Sequence, residues 1–488
     1  MKPIMWTVAA LALTSACAQV PPEQQLIADA AAALGGRERV EAVRSLRIEG
    51  EGEAPNVGQN RLPDSELPIW KVTDFVRTID LTSGRAVTRQ VRTAQFQFAG
   101  ANVQRQHQGL ERDVAYNVTA AGEAVRTGEQ EARDRRADLL QHPLTAVRAA
   151  LAEGTAVTNL RQEGDEDLVD VRTAAGDAFT LGISRAGRLP ARVTRTAAHP
   201  NLGDVAVTTA FTGYQETAGL MLPARLTTTI DKYPQFDLQI SQTTLDVDTA
   251  DLAAPEAVTL APAPTPPAVR VDVQPVAKGI WWLAGSGNHR SIVFEFDDHL
   301  VLFEAPVNEA RTKAVIDAAR ALSAKPLTHA IVSHHHFDHS GGLRVAVAEG
   351  LTIVTHRDNE AFFKDLVSRP HTIAPDALAK NPKPMTLELV DDTLTLKDDA
   401  MEVQLYHLLD NLREGTNLFA YVPRERMLVH ADLYDSTWLQ HLWGENVLQN
   451  IERRKLRVDR HVPVHGAIEP FADMVKNIKT KTSVQEGV

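Results

Sequence analysis

The chain has 488 residues, of which 43% are hydrophobic, 23% charged and 5% aromatic, and its formal net charge is −12. This composition is typical of a soluble globular protein of two or three domains. The sequence has no basic run that could neutralise phosphates, so we expect no nucleic-acid partner.

The first residues predict an exported protein. After Met1 and Lys2, residues 4 to 13 are apolar, a stretch too short to span a bilayer but of the right length for a secretory signal. We therefore predict a signal peptide at residues 1–18, cleaved after Ala18, a periplasmic or secreted location and no integral membrane span. A lipid anchor at Cys17 is the alternative, although Thr14 replaces the leucine usual in a lipoprotein box.

Residues 19–254 predict an N-terminal β-rich domain. A helical pattern over residues 24 to 45, interrupted at Gly35 and Gly36, is followed by short alternating runs that are typical of half-buried antiparallel strands. A second helical stretch is expected at residues 134 to 153, with a break at Pro143. The pattern resembles the curved-sheet carrier domains of periplasmic lipoprotein transport.

A proline-rich linker is predicted at residues 255–268, where five prolines favour an extended spacer. Residues 269–488 then alternate between strand and helix patterns. Within them, residues 308 to 321 predict a helix that Asn308 caps, and residues 446 to 457 predict another. Cys17 is the only cysteine in the chain, so neither an internal disulfide nor a thiolate metal ligand is expected.

Residues 331 to 343 hold the densest cluster of chemically active side chains. His334, His336, Asp338 and His339 form an H-x-H-x-D-H pattern directly after an apolar strand. Alternate residues of an extended chain share a face, so His334 and His336 would hold one metal, and the last two residues would serve a second. Imidazole and carboxylate ligands suit zinc, at one or two ions per chain, with iron or manganese as alternatives.

This motif resembles the signature of the metallo-β-lactamase fold hydrolases, and the similarity covers residues of about 272 to 488. The resemblance implies an αββα sandwich after the N-terminal domain. It also implies a carboxylate that bridges the two metals from a later strand, which matches Asp432. The last metal histidine of that family stands in a Pro-x-His-Gly turn, which matches His465.

The third histidine of the first metal site has no match in this chain. By alignment from Asn417, the position falls on Arg413, whose guanidinium cannot bind a metal. Either His407 or His430 serves as a replacement ligand, or the chain binds one metal through Asp338, His339, Asp432 and His465. If Arg413 points into the cleft, it would bind a substrate carboxylate or stabilise an oxyanion.

The expected function is that of an exported metal-dependent hydrolase. Zinc lowers the pKa of a bound water to about 7, and the resulting metal-bound hydroxide would attack an ester, lactone, amide or related bond, with Asp338 as the catalytic residue. The alternatives are a degenerate carrier or binding protein, an iron oxygenase of the persulfide type and a β-lactamase. The carboxylate at Asp432 resembles the bridging ligand of lactonases and general hydrolases, which argues against the last of these.

Overall fold

The computed structural model describes residues 20–97, 101–438 and 442–482. The predicted signal peptide and Cys17 lie outside the described residues. None of the described helices is long and apolar enough to cross a membrane.

Two helices begin the described chain. They are α1 (Pro22–Leu34) and α2 (Arg37–Ala42), and Gly35 between them has a φ of 127°, which an L side chain rarely adopts. The predicted helical segment and its glycine break are therefore confirmed. Leu26, Ile27 and Leu34 are buried in the core of the N-terminal domain.

The N-terminal domain is built on a single antiparallel sheet of thirteen strands. The sheet runs from β6 back to β1, continues through β15, β14 and β11, and ends with β10 to β7; β12 and β13 pair separately. The strands are β1 (Ser45–Pro55), β2 (Ile69–Asp80), β3 (Arg85–Ala94), β4 (Val103–Glu111), β5 (Val114–Val118), β6 (Ala124–Arg126), β7 (Ala156–Glu163), β8 (Glu166–Arg172), β9 (Ala178–Ser184), β10 (Pro190–His199), β11 (Gly203–Thr212), β12 (Gln215–Thr217), β13 (Leu220–Leu222), β14 (Arg225–Ile230) and β15 (Tyr233–Leu245).

Two helices lie between β6 and β7, namely α3 (Glu129–Leu139) and α4 (Pro143–Leu151). Pro143 occupies the first turn of α4, where its missing N–H costs nothing, so the predicted break is confirmed as a helix start. Leu144 and Val147 of α4 pack with α1 and the inner sheet face into one apolar core. This confirms the predicted β-rich domain.

The predicted linker is partly helical. A 3₁₀ turn at Ala250–Leu252 and a short helix, α5 (Glu256–Leu260), precede residues 261–270, which have no regular structure. Pro255 stands just before α5, where its fixed φ favours a helix start, and Val258 is buried. The expectation of an extended spacer was therefore wrong for residues 256–260.

The C-terminal region contains two further sheets. The first has seven strands, antiparallel at one end and parallel from β19 onward, and the second has six. The first consists of β16 (Val271–Ala277), β17 (Ile280–Gly285), β18 (Ser291–Glu295), β19 (Leu300–Phe303), β20 (Leu327–Ile331), β21 (Thr352–His356) and β22 (Thr386–Val390). The second consists of β23 (Thr393–Lys397), β24 (Glu402–His407), β25 (Leu418–Val422), β26 (Met427–His430), β27 (Arg460–Pro463) and β28 (Glu469–Pro470).

Helices cover the outer faces of both sheets. They are α6 (Glu309–Arg320), α7 (Phe337–Ser340), α8 (Leu343–Ala348), α9 (Glu360–Ser368), α10 (Ala377–Lys380), α11 (Gly444–Arg453) and α12 (Phe471–Thr482), with 3₁₀ turns at Arg357–Asn359 and Pro423–Glu425. The Asn308 side chain accepts a hydrogen bond from the Arg311 N–H and caps α6, as predicted.

Three apolar cores separate four layers. One lies between the two sheets and includes Phe294, Phe303 and Leu405. A second lies between the first sheet and α6, α8 and α9, and a third lies between the second sheet, α11 and α12. The predicted αββα sandwich is therefore confirmed.

The two halves of the chain share one of these cores. Leu202, Val205, Val207 and Ile230 of the N-terminal domain belong to the apolar cluster under the first sheet. In addition, the connection between β1 and β2 runs along the H-x-H-x-D-H segment. We call residues 58–61 of this connection the strap.

Candidate metal centre

The metal motif begins three residues after the end of a parallel strand. β20 ends at Ile331, Val332 and Ser333 are fully buried, and α7 starts at Phe337. The glycine pair after α7 allows a close approach, because a Cβ on Gly342 would lie 1.9 Å from the Thr312 hydroxyl oxygen of α6. Loops at strand ends of this kind commonly carry functional side chains.

Eight side chains form two groups with the geometry of metal ligands. His334, His336, Glu414 and Asp432 form the first group, and His289, Asp338, His339 and His465 form the second. Within each group, one ligand atom per residue lies within 4.8 Å of the others. All four members of the first group are buried.

The first group leaves two imidazole nitrogens without a protein partner. His334 Nε2 lies 3.9 Å from Glu414 Oε2 and 3.9 Å from Asp432 Oδ2, and His336 Nδ1 lies 3.9 Å from Glu414 Oε1. Neither nitrogen has a hydrogen-bond partner among the described residues. Ligands about 2 Å from one ion lie roughly 3–4 Å from each other, so these separations suit a single cation.

The second group converges on two carboxylates. Asp338 Oδ2 lies 3.2 Å from His289 Nε2 and 3.5 Å from His339 Nε2. Asp432 Oδ1 lies 2.9 Å from His339 Nε2 and 2.8 Å from His465 Nε2. Asp432 thus directs Oδ2 to the first group and Oδ1 to the second, which is the arrangement of a bridging carboxylate.

The ring nitrogens that point away from the two groups are held by the protein. Such outer contacts fix the tautomer and orientation of a metal-binding histidine. They join His334 Nδ1 to Ser333 Oγ at 2.9 Å, His336 Nε2 to the Asn60 carbonyl oxygen at 3.0 Å, and His465 Nδ1 to the Asn288 carbonyl oxygen at 2.8 Å. His339 Nδ1 lies 3.4 Å from Glu304 Oε2 but makes no hydrogen bond to it. The donor set and these contacts therefore fit one or two divalent metal ions.

Burial and charge act differently on the two groups. Burial lowers the pKa of His334 and of His336 well below the ordinary value, so both imidazoles are neutral and keep a lone pair for a cation. Burial also opposes charge on His339, but the Asp432 and Asp338 carboxylates outweigh it and raise the pKa of His339 well above the ordinary value. The second group therefore already attracts positive charge.

Glu414 adds a further carboxylate to the first group. Burial, followed by the neighbouring Asp432 carboxylate, raises the pKa of Glu414 well above its ordinary value. A cation beside Glu414 would favour its ionised form, as the guanidinium of Arg413 already does at 2.8 Å from Oε1.

The backbone at the bridging position is in a sparsely populated conformation. Asp432 stands two residues after the end of β26 and has a φ of 56°, in the left-handed region. Such conformations cost about 1–3 kcal/mol and tend to occur at functional sites. Here the turn lets both carboxylate oxygens face the metal groups.

The structure brings together six of the residues that the motif predicted. These are His334, His336, Asp338, His339, Asp432 and His465. That they bind metal stays a prediction.

The two proposed replacement ligands lie elsewhere. His407 Nε2 lies 2.8 Å from the Gly415 carbonyl oxygen, and its ring faces His356. His430 Nε2 lies 3.1 Å from His461 Nδ1, and His430 belongs to neither metal group. Glu414, the residue after Arg413, takes the position for which these histidines were considered.

Arg413 lies in the centre of the site. Its side chain is 14% exposed, its Nε donates to Glu414, and one Nη lies 3.5 Å from Asp432 Oδ2. Its guanidinium also lies 5.0 Å from the centre of the Trp443 ring. This position agrees with the expectation that Arg413 points into the cleft, and its role toward a substrate stays a prediction.

Sequence reasoning missed Glu414 and His289. Glu414 stands one residue from the position where a ligand was sought, and a search that admitted carboxylates as well as histidine would have found it. His289 lies between β17 and β18, some fifty positions before the motif, with no local pattern around it.

Comparisons with known proteins agree with this architecture. The model of the metallo-beta-lactamase superfamily matches residues 284–407. A comparison with curated proteins finds no matching sequence.

Several solved structures are similar to part of this chain. One is a metallo-beta-lactamase from Pontibacter korlensis, with 14% identity, a TM-score of 0.32, and coverage of 44% of this chain and 99% of that chain. Another is the FIM-1 metallo-beta-lactamase from Pseudomonas aeruginosa in its mono-zinc form, with 15% identity, a TM-score of 0.35, and coverage of 45% of this chain and 98% of that chain.

The family match and the four-layer architecture around the paired metal groups lead to one assignment. The C-terminal region of this chain has the fold of the metallo-β-lactamase superfamily, which is a hydrolase fold.

Proposed function

We propose that this protein is an exported hydrolase that uses one or two divalent metal ions to cleave an ester, lactone, amide or related acyl bond of a small molecule. The observation that carries the proposal is the pair of ligand groups joined through the two oxygens of Asp432. The partnerless nitrogens of His334 and His336 support it, because buried polar atoms without partners are costly unless a ligand satisfies them.

Zinc suits the nitrogen and oxygen donors of both groups, and iron or manganese is the alternative for the first group, where two carboxylates meet two histidines. A cation held there would polarise the acyl carbonyl and lower the pKa of the attacking water. The eight side chains of the two groups would supply the metal affinity.

The protein's own residues have separate tasks in this reaction. Asp338 has the more exposed of the two central carboxylates, 35% against 7% for Asp432, so it can reach a substrate. It would orient the attacking water and pass the water's proton to the leaving group as the acyl bond breaks. Arg413 would donate to the carbonyl oxygen as negative charge develops on it.

A panel of model substrates would show which class of bond the protein cleaves. The purified chain would be assayed with p-nitrophenyl acetate, a γ-lactone, nitrocefin and bis-p-nitrophenyl phosphate, before and after removal of metal with a chelator. We expect chelation to abolish acyl hydrolysis, with recovery on addition of zinc, manganese or iron. Turnover of nitrocefin would instead favour a β-lactamase, and no turnover with no bound metal would favour a degenerate carrier.

Asp338→Asn tests the proposed role of the carboxylate. We expect kcat to fall roughly 10²- to 10⁴-fold, the usual contribution of a general acid or base. Asp399→Asn is a matched control, because Asp399 is exposed and belongs to neither ligand group. Equal activity of the two variants would remove Asp338 from the mechanism.

The position of the N-terminus in the purified protein would show whether the chain is exported. Mass spectrometry of the chain purified from a Gram-negative periplasmic fraction should show a mature form that begins at Gln19. A lipid-modified Cys17 would favour the anchored alternative, and a chain that keeps Met1 and stays in the cytoplasm would contradict export.

A further inference from the structure

The strap connects the N-terminal domain to the centre of the metal site. The Gly58 carbonyl oxygen accepts from the Phe337 N–H at 3.4 Å, and the Arg61 carbonyl oxygen accepts from the Gly415 N–H at 2.8 Å. The Arg61 Nε also donates to the Asn411 carbonyl oxygen at 3.0 Å. The strap is thus bonded to the segment of the metal motif and to the segment that carries Arg413 and Glu414.

Gln59 joins two charged side chains of the site. Its Nε2 donates to Asp338 Oδ1 at 3.0 Å, and its Oε1 accepts from Arg413 Nη2 at 2.9 Å. A carboxylate needs a donor and a guanidinium needs an acceptor, and the carboxamide of Gln59 offers both on separate atoms at the end of its side chain. Gln59 contacts Oδ1 of Asp338 and leaves Oδ2 facing His289 and His339.

The next residue of the strap contacts the other ligand group. The Asn60 carbonyl oxygen lies 3.0 Å from His336 Nε2, which leaves the partnerless Nδ1 of His336 facing Glu414. Gln59 and Asn60 are consecutive residues of the N-terminal domain, and each contacts one candidate ligand of the C-terminal region. Gln59 contacts Asp338 of the second group, and Asn60 contacts His336 of the first group.

The strap is a fixed element. Asn60 is 4% exposed, and its side-chain amide lies within hydrogen-bond distance of the carbonyl oxygens of Leu62, Pro63 and Ser65. The Ser65 hydroxyl closes the same turn by bonding to Leu62. An element held in this way can transmit a fixed orientation to the groups that it contacts.

We infer that the N-terminal domain completes the metal centre through the strap, with Gln59 as the positioning residue that holds Asp338 and Arg413. The inference rests on the proposed function, because it assigns Gln59 to the surroundings of the same metal ions. It also assigns a task to the N-terminal domain: metal retention in the C-terminal half depends on contacts from the first hundred residues. Outer partners of metal ligands typically change metal affinity by roughly 10- to 100-fold when they are removed.

The test measures metal binding by the full-length chain, independent of turnover. Cobalt(II) would be titrated into metal-free wild type, Gln59→Leu and Gln59→Glu, and affinity would be read by chelator competition and by the visible cobalt spectrum. Gln59→Leu keeps the size of the side chain without its polar atoms, and Gln59→Glu keeps the acceptor for Arg413 but places a negative charge against Asp338. Glu66→Gln is the control, because Glu66 is exposed in the same connection and belongs to neither ligand group.

We expect both Gln59 variants to bind one cobalt equivalent roughly 10- to 100-fold more weakly than wild type, with an altered cobalt spectrum, while Glu66→Gln matches wild type. Wild-type affinity and spectrum in both Gln59 variants would overturn the inference and leave the proposed function standing. A wild-type chain that binds no cobalt would overturn both. If Gln59→Leu fails to fold, Gln59→Glu gives the same comparison, because it preserves length and polarity.

Discussion

Glu414 is the residue that most changes the chemistry of the site. The H-x-H-x-D-H motif implies a third histidine for the first metal, and the fold instead places a buried carboxylate between His334 and His336. A carboxylate adds a negative charge and a harder oxygen donor, so the first group would bind zinc, iron or manganese through mixed nitrogen and oxygen ligands. The first ligand group is therefore complete without either His407 or His430.

Substitution of Glu414 should change the number of metal ions bound. Glu414→Gln keeps the shape but removes the charge, so we predict the loss of about one metal equivalent per chain, whereas Glu414→His should retain it through an imidazole. Metal quantification by mass spectrometry of the dialysed protein provides the measurement. Glu445→Gln, at an exposed site on α11, should behave as wild type, and equal metal content in all four proteins would contradict the role of Glu414.

Arg413 should affect catalysis more than metal content. Because Glu414 completes the ligand group, Arg413→His should leave the metal count unchanged and lower kcat/KM by roughly 10²-fold, the loss expected for one oxyanion donor. Steady-state kinetics alongside metal quantification separates the two effects. Arg453→His is the control on the exposed end of α11, and unchanged kinetics in Arg413→His would make Arg413 a bystander.

The elements that carry the site were largely predictable, because their signals are local. The apolar run before His334, the glycine pair after the motif and the Asn308 cap each depend on neighbours within a few positions. The contacts between Gln59 and Asp338, and between Gln59 and Arg413, join residues 279 and 354 positions apart. No local pattern encodes such pairs, so neither the strap nor His289 was predictable from one sequence.

Substitution of Gly58 tests whether the strap packs closely against the metal motif. The φ of Gly58 is 77°, and an added Cβ would lie 2.2 Å from the Phe337 ring, so Gly58→Ala should push the strap off the motif and destabilise the fold by about 1–3 kcal/mol. Gly84→Ala has nearly the same backbone conformation, with a φ of 73° and open space around the Cβ. Chemical denaturation should show a larger loss for Gly58→Ala, and equal losses would mean that the strap is not closely packed.

At the scale of the whole molecule, the two halves share a core. The fully buried Leu202 comes from the turn between β10 and β11 of the N-terminal domain and packs in the cluster under the first C-terminal sheet. The Asp204 side chain also accepts from the Thr372 and Ile373 backbone N–H groups at 2.7 Å and 3.1 Å. An apolar interface with such bonds favours cooperative unfolding of the two halves.

Calorimetry should therefore show one main unfolding transition. Leu202→Ala should shift the whole transition to lower temperature, at a cost of about 2–5 kcal/mol, whereas Leu260→Ala, at a side chain that is 75% exposed, should leave it in place. Two separate transitions, of which Leu202→Ala moves only one, would show that the halves unfold independently.

The central claim is that the two ligand groups bind the metal ions that the protein uses for hydrolysis. Measuring metal uptake and hydrolysis together tests this claim most directly. The metal-free chain would be titrated with zinc while bound metal and acyl hydrolysis are followed in the same samples. Two ligand groups that share Asp432 predict uptake of up to two ions per chain, with hydrolysis rising as they bind and disappearing on chelation. A correctly folded chain that takes up no divalent metal would contradict the account.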